Sequence, residues 1–130
     1  MKSNFQRKGK ILTFRIATWN INSVRLRADL VCKLLKKEDI DILCLQECKS
    51  PIEKIPMDIF SKIGFSNLVA RGQKGYNGVA IISKIPLLEK SAFDFAGLGQ
   101  ARHIAAQLAN GVTIHNFYVP AGGDEPDRQK

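Results

Sequence analysis

The sequence predicts one α/β domain, α+β in arrangement, and three observations carry that reading. Ile42, Leu43, Cys44 and Leu45 are all apolar, the pattern of a strand covered on both faces. Ahead of them, VRLRADLVCKLLKKE (24–38) repeats apolar residues at helical spacing. In the second half the runs NLVAR, GVAIISK, RHIAAQL and VTIHNFYV are strand-like, separated by turns rich in Gly, Pro and Lys.

In chain order, residues 11–19 read as a first strand, with Phe14, Ile16 and Thr18 on one side and Ala17 and Trp19 on the other. Ser23 is placed to cap a helix over 24–38. Its stripe is Leu26, Leu30, Val31, Leu34 and Leu35, and its outer face carries Arg27, Lys33, Lys36 and Lys37. ILCLQE is the second strand, and a strand–helix–strand unit of this spacing is expected to be parallel. Pro51 and Pro56 bracket a loop, and MDIFSKIG gives a short helix stopped by Gly64. The remaining strands read as an antiparallel meander, so the sheet is mixed.

Composition bounds the function. At 130 residues the chain has the size of one domain. With 45% hydrophobic and 25% charged residues it is globular rather than disordered. A formal charge of +8 suggests an anionic partner: nucleic acid, a phosphorylated substrate or an acidic surface. Residues 1–10 read as a basic flexible tail, and 11–130 as the domain proper. No run is long enough to span a membrane, and ILTFRIATW, broken by Thr13 and Arg15, makes a poor secretory signal. The three cysteines lack a C-x-x-C arrangement and the histidines number two, so reduced thiols in a cytoplasmic setting are expected rather than a zinc site.

The polar residues at the strand ends ask for an explanation. The first strand ends at Asn20 and Asn22, the second at Gln46 and Glu47. In a parallel pair joined by one crossover both C-terminal ends lie on the same edge, where α/β sheets bind ligands. Asn20 and Glu47 can therefore converge, and a carboxylate with amide neighbours suits Mg²⁺. The plainer alternative keeps Glu47 as a solvated strand terminus and Asn20 as a turn residue.

ATWNINSVRLR, DILCLQECK, GQKGYNGVAIISK, ARHIAAQL and HNFYVPAGG together resemble, in order and spacing, the exonuclease III-type apurinic/apyrimidinic endonucleases. These belong to the endonuclease/exonuclease/phosphatase superfamily. The resemblance implies half of a four-layer αββα sandwich, with a mixed sheet and outer helices. It further implies a Mg²⁺-dependent DNA-repair phosphodiesterase, with Mn²⁺ as a possible substitute. The implied partner is double-stranded DNA with abasic sites or 3′ ends, without a membrane, and the full-length family is expected to be monomeric. By the same resemblance Glu47 is the metal-ligating glutamate, and Asn20 the asparagine that orients the metal–phosphate cluster. Tyr118 is the active-site tyrosine. Asn22, Arg25, Lys74 and Tyr76 fall where contacts to a DNA backbone are reasonable, although a hairpin turn accounts for Lys74 and Tyr76 as well. His103 and His115 read as structural, with His115 pointing away from Tyr118; Asn116 fits sheet packing or support for the site.

Family motifs expected later in such a chain, an Asp–x–Asn pair and a terminal Asp–His pair, have no match here. The expectation is that these 130 residues supply one sheet with its outer helix, expose a wide apolar face, and are inactive alone. Two other readings stay open: a non-catalytic nucleic-acid-binding fragment, and a superfamily relative acting on lipid headgroups, against which QKGYNGVAI and FYVPAGG speak.

Overall fold

The computed structural model describes residues 13–72, 75–92 and 100–119. The basic tail and Lys74 lie outside the described residues. The elements run β1 (Ile16–Asn20), α1 (Ala28–Lys37), β2 (Ile42–Gln46), a 3₁₀ turn (Ile52–Lys54) and α2 (Met57–Ser61). The strands β3 (Asn67–Arg71), β4 (Val79–Ser83), β5 (Leu88–Ser91), β6 (His103–Gln107) and β7 (Thr113–Phe117) follow. No helix among the described residues is long and apolar enough to cross a membrane.

The strands make two sheets rather than one. The first has the order β1-β2-β4-β3 and the second β5-β6-β7. Only β1 and β2 run parallel, and the ladders of β4 on β2 and on β3 are antiparallel. The first sheet is therefore mixed, as expected, while the meander splits: β3 and β4 stay on it and β5–β7 cross to its other side.

Residue parity on β2 explains the split. Leu43 and Leu45 face the helices, in a cluster with Val31 and Leu35 of α1 and Phe60 of α2. Ile42 and Cys44 face the second sheet, packed with Ile81, Ile104, Ala106 and Ile114. Each such fully buried aliphatic side chain contributes roughly 1.5–3 kcal/mol. The expected single sheet with a bare apolar face is thus corrected. Ile104 and Ala106 of β6 and Ile114 of β7 turn inward to meet the first sheet, and the stacking order is helix, sheet, sheet.

The helix also differs from expectation. It begins at Ala28, not after Ser23, and its cap position, Arg27, makes no side-chain capping bond. Ser23 instead sits at φ 85° and its Oγ accepts the Leu26 N–H across a separate turn. The buried stripe is Ala28, Val31 and Leu35, whereas Leu26 and Leu30 are 76% and 50% exposed. The second helix stops as read: Gly64 takes φ 94° and donates to the Ser61 carbonyl, and Phe65 N–H folds back to Phe60.

The second sheet is shifted sideways on the first. β6 lies against β3 and β4, and β7 against β2 and β4. β1 is left uncovered on that side, so Ile16, Thr18 and Asn20 are exposed while Ala17 and Trp19 pack towards the helices.

Candidate functional site

The C-terminal ends of β1 and β2 meet, because Asn20 lies in register with Gln46. They stay joined past the ladder: Ile21 N–H donates to Gln46, Ser23 N–H to Glu47 (2.8 Å) and Val24 N–H to Cys48. A third segment closes the rim, where Cys48 and Lys49 N–H donate to the Gly78 and Asn77 carbonyls, and Gly78 N–H donates to Ala101. Asn22, Ser23, Glu47, Lys49 and Asn77 all have positive φ, between 48° and 85°. Such backbone is costly for non-glycine residues, of order 1–3 kcal/mol each, and tends to gather at functional sites. Gly78, at φ 93°, is the position that needs no side chain, since a Cβ there would stand 3.3 Å from that of Cys48.

A buried amide network spans the two sheets beneath this rim. Asn116 Nδ2 donates to both the Leu45 and Ala80 carbonyls, each at 2.9 Å. Its Oδ1 accepts from Gln46 Nε2 at 2.7 Å, and the same nitrogen donates to Thr18 Oγ1 at 2.9 Å. Asn116 is thereby assigned to joining the sheets. Asn20 lies two residues beyond Thr18, Glu47 one beyond Gln46, and Tyr118 two beyond Asn116. Along a strand, residues two apart share a face, so Asn20 and Tyr118 follow Thr18 and Asn116, while Glu47 leaves β2 at the same end and is tied there by Ser23 N–H.

Glu47 is partly exposed, its carboxylate 3.9 Å from Lys49 Nζ. Lys49 was not singled out from the sequence, yet its ammonium also donates to Asn22 Oδ1 at 2.6 Å, and its carbonyl accepts from Arg25. Asn22 and Arg25 thus join Glu47 through Lys49, and Arg27 donates to the Asn22 carbonyl. Tyr76 is 56% exposed on the 75–78 turn bound to this rim. Tyr118 is half-buried, its N–H on the Arg102 carbonyl and its ring under the Arg102 guanidinium, 4.6 Å from the centroid. Arg102 Nε holds Gln100 at 2.5 Å, while its buried Nη1 has no partner among the described residues. The sequence offered no signal for Arg102 beyond its charge.

The histidines lie off the rim, on the outer face of the second sheet. His103 Nε2 and His115 Nδ1 are 3.0 Å apart; the His115 ring stacks with Phe117 and the His103 ring is tilted against it. Burial, then the nearby His115 and Arg71, lower the His103 pKa. Cys44 and Cys48 are driven the other way by burial, up to about 11 and about 12, which keeps them as inert thiols.

The oxygens of Glu47 and Asn20 are hard donors, and the carboxylate already attracts a cationic side chain. Among the described residues no three His, Cys, Asp or Glu side chains gather as a metal cage. Such a sparse set fits Mg²⁺, which keeps several waters and takes one or two carboxylates.

A mixed sheet packs on a second sheet, and polar strand ends gather on one rim. Residues 17–130 match the endonuclease/exonuclease/phosphatase family, and the chain belongs to it. It is 31% identical over 113 residues to exodeoxyribonuclease III of Haemophilus influenzae, covering 83% of this chain and 42% of that protein. It is 30% identical to the DNA repair nuclease APEX1 of Danio rerio, covering 73% and 31%. Among solved structures, an AP endonuclease from Archaeoglobus fulgidus is similar at 39% identity and TM-score 0.74, covering 83% and 42%. The 3′ phosphatase NExo from Neisseria bound to product DNA hairpin is similar at 36% and 0.78, covering 88% and 46%. The chain spans less than half the length of these relatives.

Proposed function

We propose that the chain carries part of the active rim of a Mg²⁺-dependent DNA phosphodiesterase, one that cuts 5′ to abasic sites and trims 3′ ends. The observation that supports this is the convergence of three strand ends, those of Asn20, Glu47 and Tyr118, about the Thr18–Gln46–Asn116 network. The DNA named in relatives' descriptions, as repair substrate and as bound product, supports it further.

In this reading Glu47 would hold the ion, with the Asn20 amide on the neighbouring strand end as a second oxygen donor. When bound, Mg²⁺ or Mn²⁺ supplies positive charge against the phosphate and the departing sugar oxygen. Lys49, whose ammonium lies beside Glu47 and on Asn22 Oδ1, would keep positive charge at the rim. The Tyr118 hydroxyl donates to a non-bridging oxygen, and Arg102 keeps positive charge beside its ring. Asn22, Arg25, Lys74 and Tyr76 serve the DNA backbone rather than the bases, contacts that position without reading sequence.

The test is fluorescence anisotropy of a duplex carrying one abasic-site analogue, with and without Mg²⁺, using the chain and its Glu47→Gln variant. Mg²⁺ is expected to tighten binding to the wild type and leave the variant unchanged. Binding that falls with salt but ignores Mg²⁺ in both would favour a purely electrostatic nucleic-acid module instead.

A further inference from the structure

Four hydrogen bonds fix the orientation of one amide at the rim. The two acceptors above Asn116, the Leu45 and Ala80 carbonyls, can only receive, so the Asn116 nitrogen must face them. Its oxygen then faces Gln46, which must present its nitrogen in turn. Both Gln46 Nε2 hydrogens are consumed, one by Asn116 and one by Thr18. There is no freedom left to flip either group.

Gln46 Oε1 is what remains. It accepts nothing from the described residues, and it is not among the side-chain atoms sealed away from solvent without a partner, of which Arg102 Nη1 is the one found. Gln46 as a whole is only 8% exposed. An otherwise buried glutamine has therefore been tied by its nitrogen with its carbonyl oxygen left available, next in sequence to Glu47 and in register with Asn20.

We infer that Gln46 is a positioning residue, whose Oε1 accepts a hydrogen bond from water in the shell of a divalent cation held at Glu47. The inference deepens the functional reading above and rests on it. Partners of this kind commonly change metal affinity 10- to 100-fold when removed. The network supplies the reason for the arrangement: Thr18 and Asn116 hold the amide so that no rotation has to be frozen when the ion arrives.

The experiment is a Mg²⁺ titration of the ¹⁵N-labelled chain, with Mn²⁺ calorimetry on Gln46→Leu, Asn116→Ala and Glu47→Gln. In the wild type both Gln46 side-chain amide protons are expected to exchange slowly. Their resonances should shift with Mg²⁺ in step with the Glu47 backbone amide. Gln46→Leu should bind Mn²⁺ about tenfold more weakly, and Asn116→Ala, which keeps the oxygen but unfastens it, should fall between. Wild-type affinity in a folded Gln46→Leu, together with lost binding in Glu47→Gln, overturns this inference alone. Absence of any Mg²⁺ response at Glu47 overturns the functional reading with it. Should Gln46→Leu not fold, the wild-type titration decides: a shift at Glu47 without one at the Gln46 amide refutes the role.

Discussion

Gln46 and Asn116, 70 positions apart in sequence, share a 2.7 Å hydrogen bond that joins the two sheets directly under the candidate site. Asn116 is 2% exposed and spends both its donors on carbonyls of β2 and β4. Sheet packing and site alignment consequently depend on one side chain. Replacing it with Leu removes three hydrogen bonds and leaves Gln46 short of an acceptor, for a cost of about 2–4 kcal/mol. Urea unfolding followed by Trp19 fluorescence measures this, and a loss under about 0.5 kcal/mol would mean the network is ornamental.

Two glycines on the same turn separate backbone strain from crowding. Gly75 and Gly78 take φ 82° and 93°, but a Cβ on Gly75 meets nothing within 4 Å, while one on Gly78 stands 3.3 Å from Cys48 Cβ and 3.4 Å from Lys49 N. Ala at either position carries the left-handed penalty, of order 1 kcal/mol. Ala at Gly78 should cost more and should also displace the Cys48–Gly78 bond beside Glu47. Equal melting temperatures for the two variants would contradict this packing.

The buried thiols give a dependence on alkaline pH. Folding raises Cys44 to about 11 and Cys48 to about 12, from an ordinary value of 9.0, through burial. A group whose folded pKa is raised stabilises the fold fully below its unfolded value and loses that contribution as pH rises through the window between the two. Stability should decline from about pH 9 upward, and less steeply in Cys48→Ala than in the wild type. In native protein near neutral pH a thiol reagent should reach Cys32, which is half-buried, well before Cys44 or Cys48.

His103 imposes the opposite limit. Its pKa is lowered by burial first, then by His115 and Arg71. Protonation therefore favours the unfolded chain, and the stability His103 contributes is present above its unfolded value of 6.5 and lost as pH falls below it. Denaturation midpoints between pH 7.5 and 5 should fall in the wild type and flatten in His103→Phe.

On its own, the 130-residue chain is expected to bind abasic duplex without turning it over. Incubation with Mg²⁺ and end-labelled DNA is the check, and strand cleavage by pure protein that disappears in Glu47→Gln would refute it.

The strands on which apolar runs are long, β2, β4, β6 and β7, were legible because burial on one or both faces writes itself into composition. β5 was not: Leu88, Glu89 and Lys90 are exposed on an edge, and nothing in their chemistry distinguishes them from a loop. Val31, Leu34 and Leu35 of the helix stripe face the core as read, but Leu26 and Leu30 compete with Ala28 as apolar candidates, and only the neighbouring sheet decides between them. The second sheet escaped notice since residue parity on β2 serves a helix layer and a sheet layer alike. Asn20 and Glu47 were paired from the parallel strand ends and given roles by motif resemblance, and Tyr118 was proposed by resemblance alone. Gln46, Lys49 and Arg102 owe their places to partners remote in sequence, which no local pattern encodes.

The rim's left-handed backbone restricts what can ever stand there. Valine or isoleucine at Asn22, Glu47, Lys49 or Asn77 meets a steric barrier before its chemistry matters. Random libraries built over these positions should return asparagine, aspartate and glycine far more often than branched residues. Chain shape alone thus keeps that border polar, even under selection for folding without any demand for activity.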